Sequence, residues 1–144
     1  MTEHANDPRE VARRFFAAAS SDSFDDELIA EDFVYHGPAM LGEMRGREAF
    51  RGMMGGFRTG FPGFETEIGQ MIAEGDLVAV WHTHTGRHDG EFAGIPATGR
   101  PVRIDGLELL RVRDGAVVEF WHMDDFLGLM QQIGGLPQPA APTG

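Results

Sequence analysis

Two adjacent carboxylic acids, Asp124 and Asp125, end the stretch EFWHMDD at residues 119–125, just after a tryptophan and a histidine. A positioned carboxylate can take a proton from a substrate and return it, so either acid could serve as a general acid/base. If the chain is extended here, successive side chains point to opposite faces, and only one of the two acids can enter a given pocket. Periodicity alone does not choose between them, because both faces mix apolar and polar residues.

A second chemically capable group is the histidine-rich stretch HTHTGRH. His82 and His84 stand two apart, so on a strand both point to one side, and His88 joins them if the strand continues. Histidines at this spacing near an acid could bind iron, manganese or zinc, as in metal-dependent oxygenases. No acid follows at the gap typical of that motif, and a helical N-terminal third does not suit a jelly roll. We therefore expect no metal site.

Composition limits the partners. The chain has 144 residues and 42% hydrophobic content, which predicts one domain over residues 1–136 and a flexible tail at 137–144. A formal net charge of -11 opposes binding to nucleic acid or to an anionic membrane surface. The absence of cysteine excludes disulfides and thiolate metal sites. The sequence lacks a long apolar run and a signal-peptide pattern, so we expect a cytoplasmic protein.

The elements that must position these residues begin with helices. Asp7 and Pro8 are typical of a helix start, and the spacing that follows predicts a helix over residues 8–20. Polar capping residues and apolar spacing predict a short helix at 25–29, a strand at 33–36, a helix at 47–57 and a last helix at 125–133.

From residue 62 to residue 124 the pattern is typical of strands. The turn pairs Gly75-Asp76 and Asp114-Gly115 lie between apolar runs and predict two hairpins. Helices first and a long antiparallel meander afterwards indicate an α+β fold, with the helices packed on one face of a curved sheet.

Four stretches in order, DFVYHGP, GEFAGIPATGRPV, LRVRDGAVVEFW and DDFLGLMQQIGGLP, span nearly the whole chain. With them the chain resembles the SnoaL-like polyketide cyclases, or ester cyclases, of the nuclear transport factor 2-like superfamily. The resemblance implies a cone-shaped fold, in which a strongly curved antiparallel sheet encloses a largely apolar cavity. It also implies cofactor-independent acid/base catalysis, by intramolecular aldol condensation or a related isomerisation, on a hydrophobic polyketide-like molecule. A homodimer or homotetramer through the convex face of the sheet is the implied assembly.

The resemblance also selects residues. Family members carry an acid four residues after the tryptophan of the last strand, which makes Asp125 the expected catalytic residue, although it could instead cap the helix that begins there. His82 and His84 are its expected catalytic partners, and burial in an apolar cavity is expected to raise the pKa of the catalytic acid. The expected substrate-binding residues are His36, Trp121, Glu108, Arg111, Phe50 and Met54.

Alternatives remain for several of these residues. His36 could instead fix the turn before Pro38, and Arg111 could form a buried ion pair with Glu108 or Glu119. Other activities on the same fold also stay open, because one fold serves many functions. They are dehydration, ligand binding without catalysis, and epoxide hydrolysis by Asp105, Asp125 and either Arg103 or Arg111.

Overall fold

Three helices and a six-stranded mixed sheet make up the part of the chain that the computed structural model describes, residues 6–21, 25–39 and 41–137. The helices are α1 (Pro8–Ala19), α2 (Arg47–Gly60) and α3 (Phe126–Gln132). The strands are β1 (Ile29–His36), β2 (Glu43–Arg45), β3 (Glu65–Glu74), β4 (Leu77–Arg87), β5 (Pro101–Arg113) and β6 (Ala116–Asp124). Their order across the sheet is β2-β1-β6-β5-β4-β3.

The long meander is confirmed, since β3, β4, β5 and β6 pair in succession and are all antiparallel. Both predicted turn pairs join neighbouring strands, and Asp114 and Gly115 have positive φ angles of 52° and 77°. The sheet is not purely antiparallel, because β1 runs parallel to β6 and carries the short β2 on its other edge. The meander follows β1 and β2 in the chain, and its last strand pairs with β1 to complete one sheet.

Helix α1 covers the concave face of the sheet. The Asp7 carboxylate accepts a hydrogen bond from the backbone N–H of Arg9, and Pro8 occupies the first turn, as the sequence predicts. The apolar side of the helix is buried and contacts β3, β4, β5 and β6. No helix among the described residues is long and apolar enough to cross a membrane.

Some predicted boundaries were wrong. Residues 25–28 form a turn, in which the backbone N–H of Leu28 donates to the carbonyl of Asp25, and the strand already begins at Ile29. Helix α2 continues to Gly60, three residues beyond the predicted end. Of the predicted tail only residue 137 lies within the described part, and the single domain stays a prediction.

Side-chain direction in the sheet follows residue number. In β4 and β5 the even-numbered residues between Val78 and Val112 face the core, and the odd-numbered ones face outward. In β6 the pairing shifts between the Val112–Val117 and Arg111–Glu119 pairs, which leaves one extra residue in that strand. Beyond this bulge the inward residues of β6 are Phe120, His122 and Asp124.

Candidate active site

A cavity opens between the helices and the concave face of the sheet. Its empty volume is about 620 Å³, including solvent space at the mouth. Most of the wall is apolar, with polar groups at one end only. The lining residues are Phe15, Phe16, Ala19, Leu41, Phe50, Met53, Met54, Phe57, Phe64, His84, Phe92, Glu108, Phe120, His122, Asp124 and Phe126.

Two carboxylates and two imidazoles form a closed ring at the polar end. His122 Nε2 lies 2.7 Å from Asp124 Oδ2 and 3.2 Å from Glu108 Oε1. His82 Nε2 lies 2.5 Å from the same Glu108 oxygen and 3.2 Å from Asp124 Oδ1. Each imidazole therefore touches both acids, and each acid touches both imidazoles. We call these four residues the carboxylate–imidazole ring.

Two further side chains extend the ring. The Tyr35 hydroxyl is 2.6 Å from His122 Nδ1, so Tyr35 fixes the orientation of that imidazole from β1. His84 Nε2 lies 3.5 Å from Asp124 Oδ2, and its Nδ1 is 2.8 Å from the Thr66 hydroxyl. His84 lines the cavity, whereas His82 is fully buried behind Glu108 and Asp124.

Strand register explains why these residues meet. His82 pairs with Gly106 and Gly106 pairs with Asp124, so the three lie in one row across β4, β5 and β6. A Cβ atom at position 106 would lie 2.0 Å from Asp124 Oδ1 and 2.7 Å from His82 Nε2. The missing side chain of Gly106 thus provides the space in which the Asp124 and His82 side chains approach each other.

Within the carboxylate–imidazole ring, the charges of the acids and of the imidazoles stabilise each other. Burial by itself would lower the pKa of His82, but hydrogen bonds and charges of Asp124 and Glu108 raise it to about 9. The charges of Glu108 and Asp124 likewise outweigh burial and hold the pKa of His122 well above its usual value. Burial would raise the pKa of Asp124, but the His122 charge and hydrogen bonds from the neighbouring imidazoles hold it well below its usual value. At neutral pH the site therefore contains an ionised Asp124 beside imidazolium donors.

The sequence profile of the SnoaL-like polyketide cyclase family matches residues 9–133. The chain belongs to this family. Aklanonic acid methyl ester cyclase from Streptomyces peucetius is 29% identical over 130 residues, covering 87% of this chain and 89% of the relative. Nogalonic acid methyl ester cyclase from Streptomyces nogalater is 29% identical over 111 residues, covering 76% and 82%.

The fold of this SnoaL-like protein agrees with its family. The crystal structure of a candidate SnoaL-like polyketide cyclase from Jannaschia sp. CCS1 superposes with a TM-score of 0.82 at 27% identity, covering 90% of this chain and 93% of the other. The cone-shaped α+β fold expected from the sequence is confirmed.

The cavity acid is Asp124, and the predicted placement of Asp125 was wrong. Asp125 is exposed, lies outside the cavity and serves as the N-cap of α3, where its Oδ1 accepts a hydrogen bond of 2.8 Å from the Gly128 backbone N–H. The alternative role as a helix cap is the one that the structure supports. The expected rise in the pKa of the cavity acid was also wrong, because the imidazoles outweigh burial.

Three of the six predicted substrate-binding residues lie on the outer face of the sheet. His36 bonds Glu119 at 2.6 Å and stacks on Trp121, with ring centroids 5.3 Å apart. Arg111 pairs with Asp76 at 2.9 Å, with Glu119 at 3.7 Å, and lies over the Trp121 ring. The placement of His36, Trp121 and Arg111 in the cavity was therefore wrong, because they occupy outward positions in their strands.

The other predicted residues reach the cavity or its polar end. Phe50, Met54 and Glu108 line the wall, and His82 and His84 converge on Asp124. Glu108 forms no pair with Arg111, which points to the opposite face. His88 follows the end of β4 and lies buried against Phe61, apart from the carboxylate–imidazole ring.

Sequence reasoning missed the roles of His122 and Tyr35. Tyr35 and Phe33 are inward residues of β1, and this alternation was the available signal. The aromatic wall was also missed, because its members come from separate elements: Phe15 and Phe16 from α1, Phe57 from α2, Phe92 from the β4–β5 connection and Phe126 from α3.

The same polar end could in principle hold a metal ion. Ligand atoms of His82, His84, Glu108 and Asp124 lie within 4.8 Å of one another. Several of these atoms already contact each other at hydrogen-bond distance.

The residues considered for epoxide hydrolysis do not assemble, since Arg103 and Asp105 are exposed on the outer face and no arginine is found among the described lining residues.

Proposed function

We propose that this protein closes a ring by cofactor-independent intramolecular aldol addition, with Asp124 as the proton acceptor. The observation that carries the proposal is a buried carboxylate at the polar end of an apolar cavity, 2.7 Å from the His122 imidazole, whose charge helps to hold the pKa of Asp124 low. A general base and a general acid thus stand side by side in a site whose apolar walls can hold a hydrophobic substrate in a reactive fold.

The reaction is balanced without a cofactor. Asp124 takes a proton from the carbon next to a carbonyl group, and the resulting enolate carbon attacks a second carbonyl carbon in the same molecule. One C–H bond breaks, one C–C bond forms, and the attacked oxygen becomes an alkoxide. Protonation of that oxygen by His122 gives the alcohol, after which Asp124 returns its proton to the imidazole.

The low basicity of Asp124 restricts the substrate. A carboxylate whose pKa is held low is a weak base, so it can only deprotonate a carbon that is already acidic. Conjugation of the enolate with an extended aromatic ketone supplies this acidity. The aromatic wall formed by Phe15, Phe50, Phe57 and Phe120 suits the flat face of such a molecule.

Charge favours a neutral ester over a free acid. A substrate carboxylate near the polar end would meet Asp124 and Glu108 and would also be repelled by the net charge of -11. The two relatives named above are both methyl ester cyclases. We propose a polycyclic aromatic polyketide methyl ester as the substrate class, and aklanonic acid methyl ester is the first compound to assay.

The matched pair Asp124→Asn and Asp125→Asn tests the assignment. Asparagine cannot accept the proton, so Asp124→Asn should lower kcat by about 10²- to 10⁴-fold while substrate still binds. Asparagine caps a helix about as well as aspartate, so Asp125→Asn should keep both fold and turnover. Loss of turnover in Asp125→Asn alone would reverse the assignment, and full turnover in both variants would show that neither acid is the base.

A metal-dependent oxygenase is the competing activity at the same residues. Elemental analysis of the purified protein, combined with assays after chelation, separates the two. A stoichiometric metal that is needed for turnover would refute the proton-transfer proposal. Turnover that survives chelation supports it.

Self-association through the outer face of the sheet is a second proposal. Trp81 pairs with Leu107 and Leu107 with Met123 across three strands, and these outward side chains are 44%, 51% and 62% exposed. Such a row of large apolar groups is typical of a surface that another protein covers. Arg111, Asp76 and Glu119 lie on the same face and offer charges of both signs, which suits contact with a second copy of this chain.

A further inference from the structure

Glu108 has no place in the aldol step, yet it is buried at the polar end of the cavity. It is 2% exposed and lies on β5, opposite His122 on β6. One of its oxygens, Oε1, is 2.5 Å from His82 Nε2 and 3.2 Å from His122 Nε2. Burying a carboxylate costs free energy unless the carboxylate is paired, so these contacts explain how Glu108 can lie there. They do not explain what Glu108 does for the reaction.

The charges of the ring balance only when Glu108 is included. With both imidazoles protonated, two positive charges face two carboxylates, and the buried ring is neutral as a whole. Without Glu108, two cations would share the single negative charge of Asp124 in an apolar surrounding. One imidazole would then lose its proton, because an uncompensated buried charge is strongly unfavourable.

We propose that Glu108 is a positioning residue that keeps the His122 imidazole protonated and directed at Asp124, so that a proton donor stands ready beside the base. The inference rests on the proposed function and extends it from a single acid to the whole carboxylate–imidazole ring. In this arrangement His82 links the two acids from the far side, and Gly106 leaves room for that link.

The groups that face His122 from each neighbouring strand determine its protonation. Tyr35 on β1, Glu108 on β5 and Asp124 on β6 contact it directly. His82 and His84 on β4 contact its partner Asp124. Phe126 of α3 contacts the His122 ring and carries no charge. Glu108 and Asp124 are the two anions of this group, and their charges raise the pKa of His122 above its usual value.

Glu108→Gln removes one anion and keeps the size of the side chain. We expect His122 to lose its proton at lower pH, so that the alkaline limb of the kcat profile moves down by about one pH unit or more. In the pH range between the original and the shifted alkaline limb turnover should then fall by up to about tenfold, while at about pH 6 it should stay close to that of the unaltered protein. KM should change little, because the apolar wall is intact.

Two further variants separate charge from shape. Glu108→Asp keeps the charge and should restore part of the alkaline limb. Glu119→Gln is the matched control, because Glu119 also bonds a histidine but does so on the outer face of the sheet. It should leave the pH profile unchanged. A uniform loss of turnover at all pH values in Glu108→Gln would indicate a merely structural role and would overturn the proposal.

NMR titration of the His122 ring nitrogens gives a readout that does not depend on turnover. In the unaltered protein His122 should remain protonated well above pH 7, about the range in which a free histidine is already neutral. A His122 that titrates like a free histidine would refute the proposal even if no variant folds. If Asp124→Asn retains turnover, the proposed function fails, and this titration still decides what Glu108 does.

Discussion

The buried ring should make the stability of the fold depend strongly on pH between neutral and mildly alkaline conditions. His82 has a raised folded-state pKa of about 9, against 6.5 for an exposed histidine. A group with a raised folded pKa contributes stability that is fully present below about pH 6.5 and is lost as the pH rises through about 9. The difference between the two values corresponds to roughly 3 kcal/mol. For a chain of this length that is a fall in Tm of about 10 °C.

Urea unfolding at several pH values from about 6 to about 9 measures this dependence. His82→Gln removes the titrating group, so the difference in unfolding free energy between it and the unaltered protein should shrink as the pH rises. Trp81→Phe, at the neighbouring outward position of β4, should lower stability by the same amount at every pH. A pH-independent difference for His82→Gln would refute the reasoning, because it would mean that His82 is neutral in the folded protein.

Three shorter predictions concern other parts of the fold. Gly106→Ala places a methyl group 2.0 Å from Asp124 Oδ1, so turnover should fall at least about 100-fold in an otherwise folded protein; near-normal turnover would show that Asp124 need not reach His82. Leu107→Glu should yield monomers in sedimentation velocity and leave each monomer active, whereas an unchanged assembly would place the interface elsewhere. Phe50→Ala should cost about 3–5 kcal/mol in chemical unfolding, since Phe50 is 1% exposed; a cost below about 1 kcal/mol would mean that the wall collapses around the gap.

The inward face of β5 could be predicted from sequence. Its even positions from Val102 to Val112 are apolar apart from Gly106 and Glu108, so Glu108 had to enter the core side. The two turn pairs were equally informative, because a glycine next to an aspartate between two apolar runs strongly favours a hairpin turn. Local signals of this kind also located α1. They gave helix capping as one of the two possible roles of Asp125.

The face of β6 could not be predicted, because it depends on one extra residue. If the residues of β5 and β6 paired one to one outward from the Asp114-Gly115 turn, with no bulge, Trp121 would lie opposite Glu108 and Asp125 would lie on the inner face. The observed shift before Glu119 pairs Glu108 with His122 instead and turns Asp124 inward. A one-residue shift exchanges the two faces of a strand, and no local pattern in AVVEFW marks it.

Inward and outward side chains alternate along β4, β5 and β6, so two different functional constraints act on the same strands. His82, Gly106 and Asp124 form one row on the inner face, and Trp81, Leu107 and Met123 form the adjacent row on the outer face. Under the proposed function and the proposed self-association, consecutive residues serve chemistry and surface contact in turn, with only the thickness of one sheet between them. A saturation scan of these strands should therefore give a tolerance profile with a period of two, in which turnover and assembly respond to alternate positions and can be altered independently.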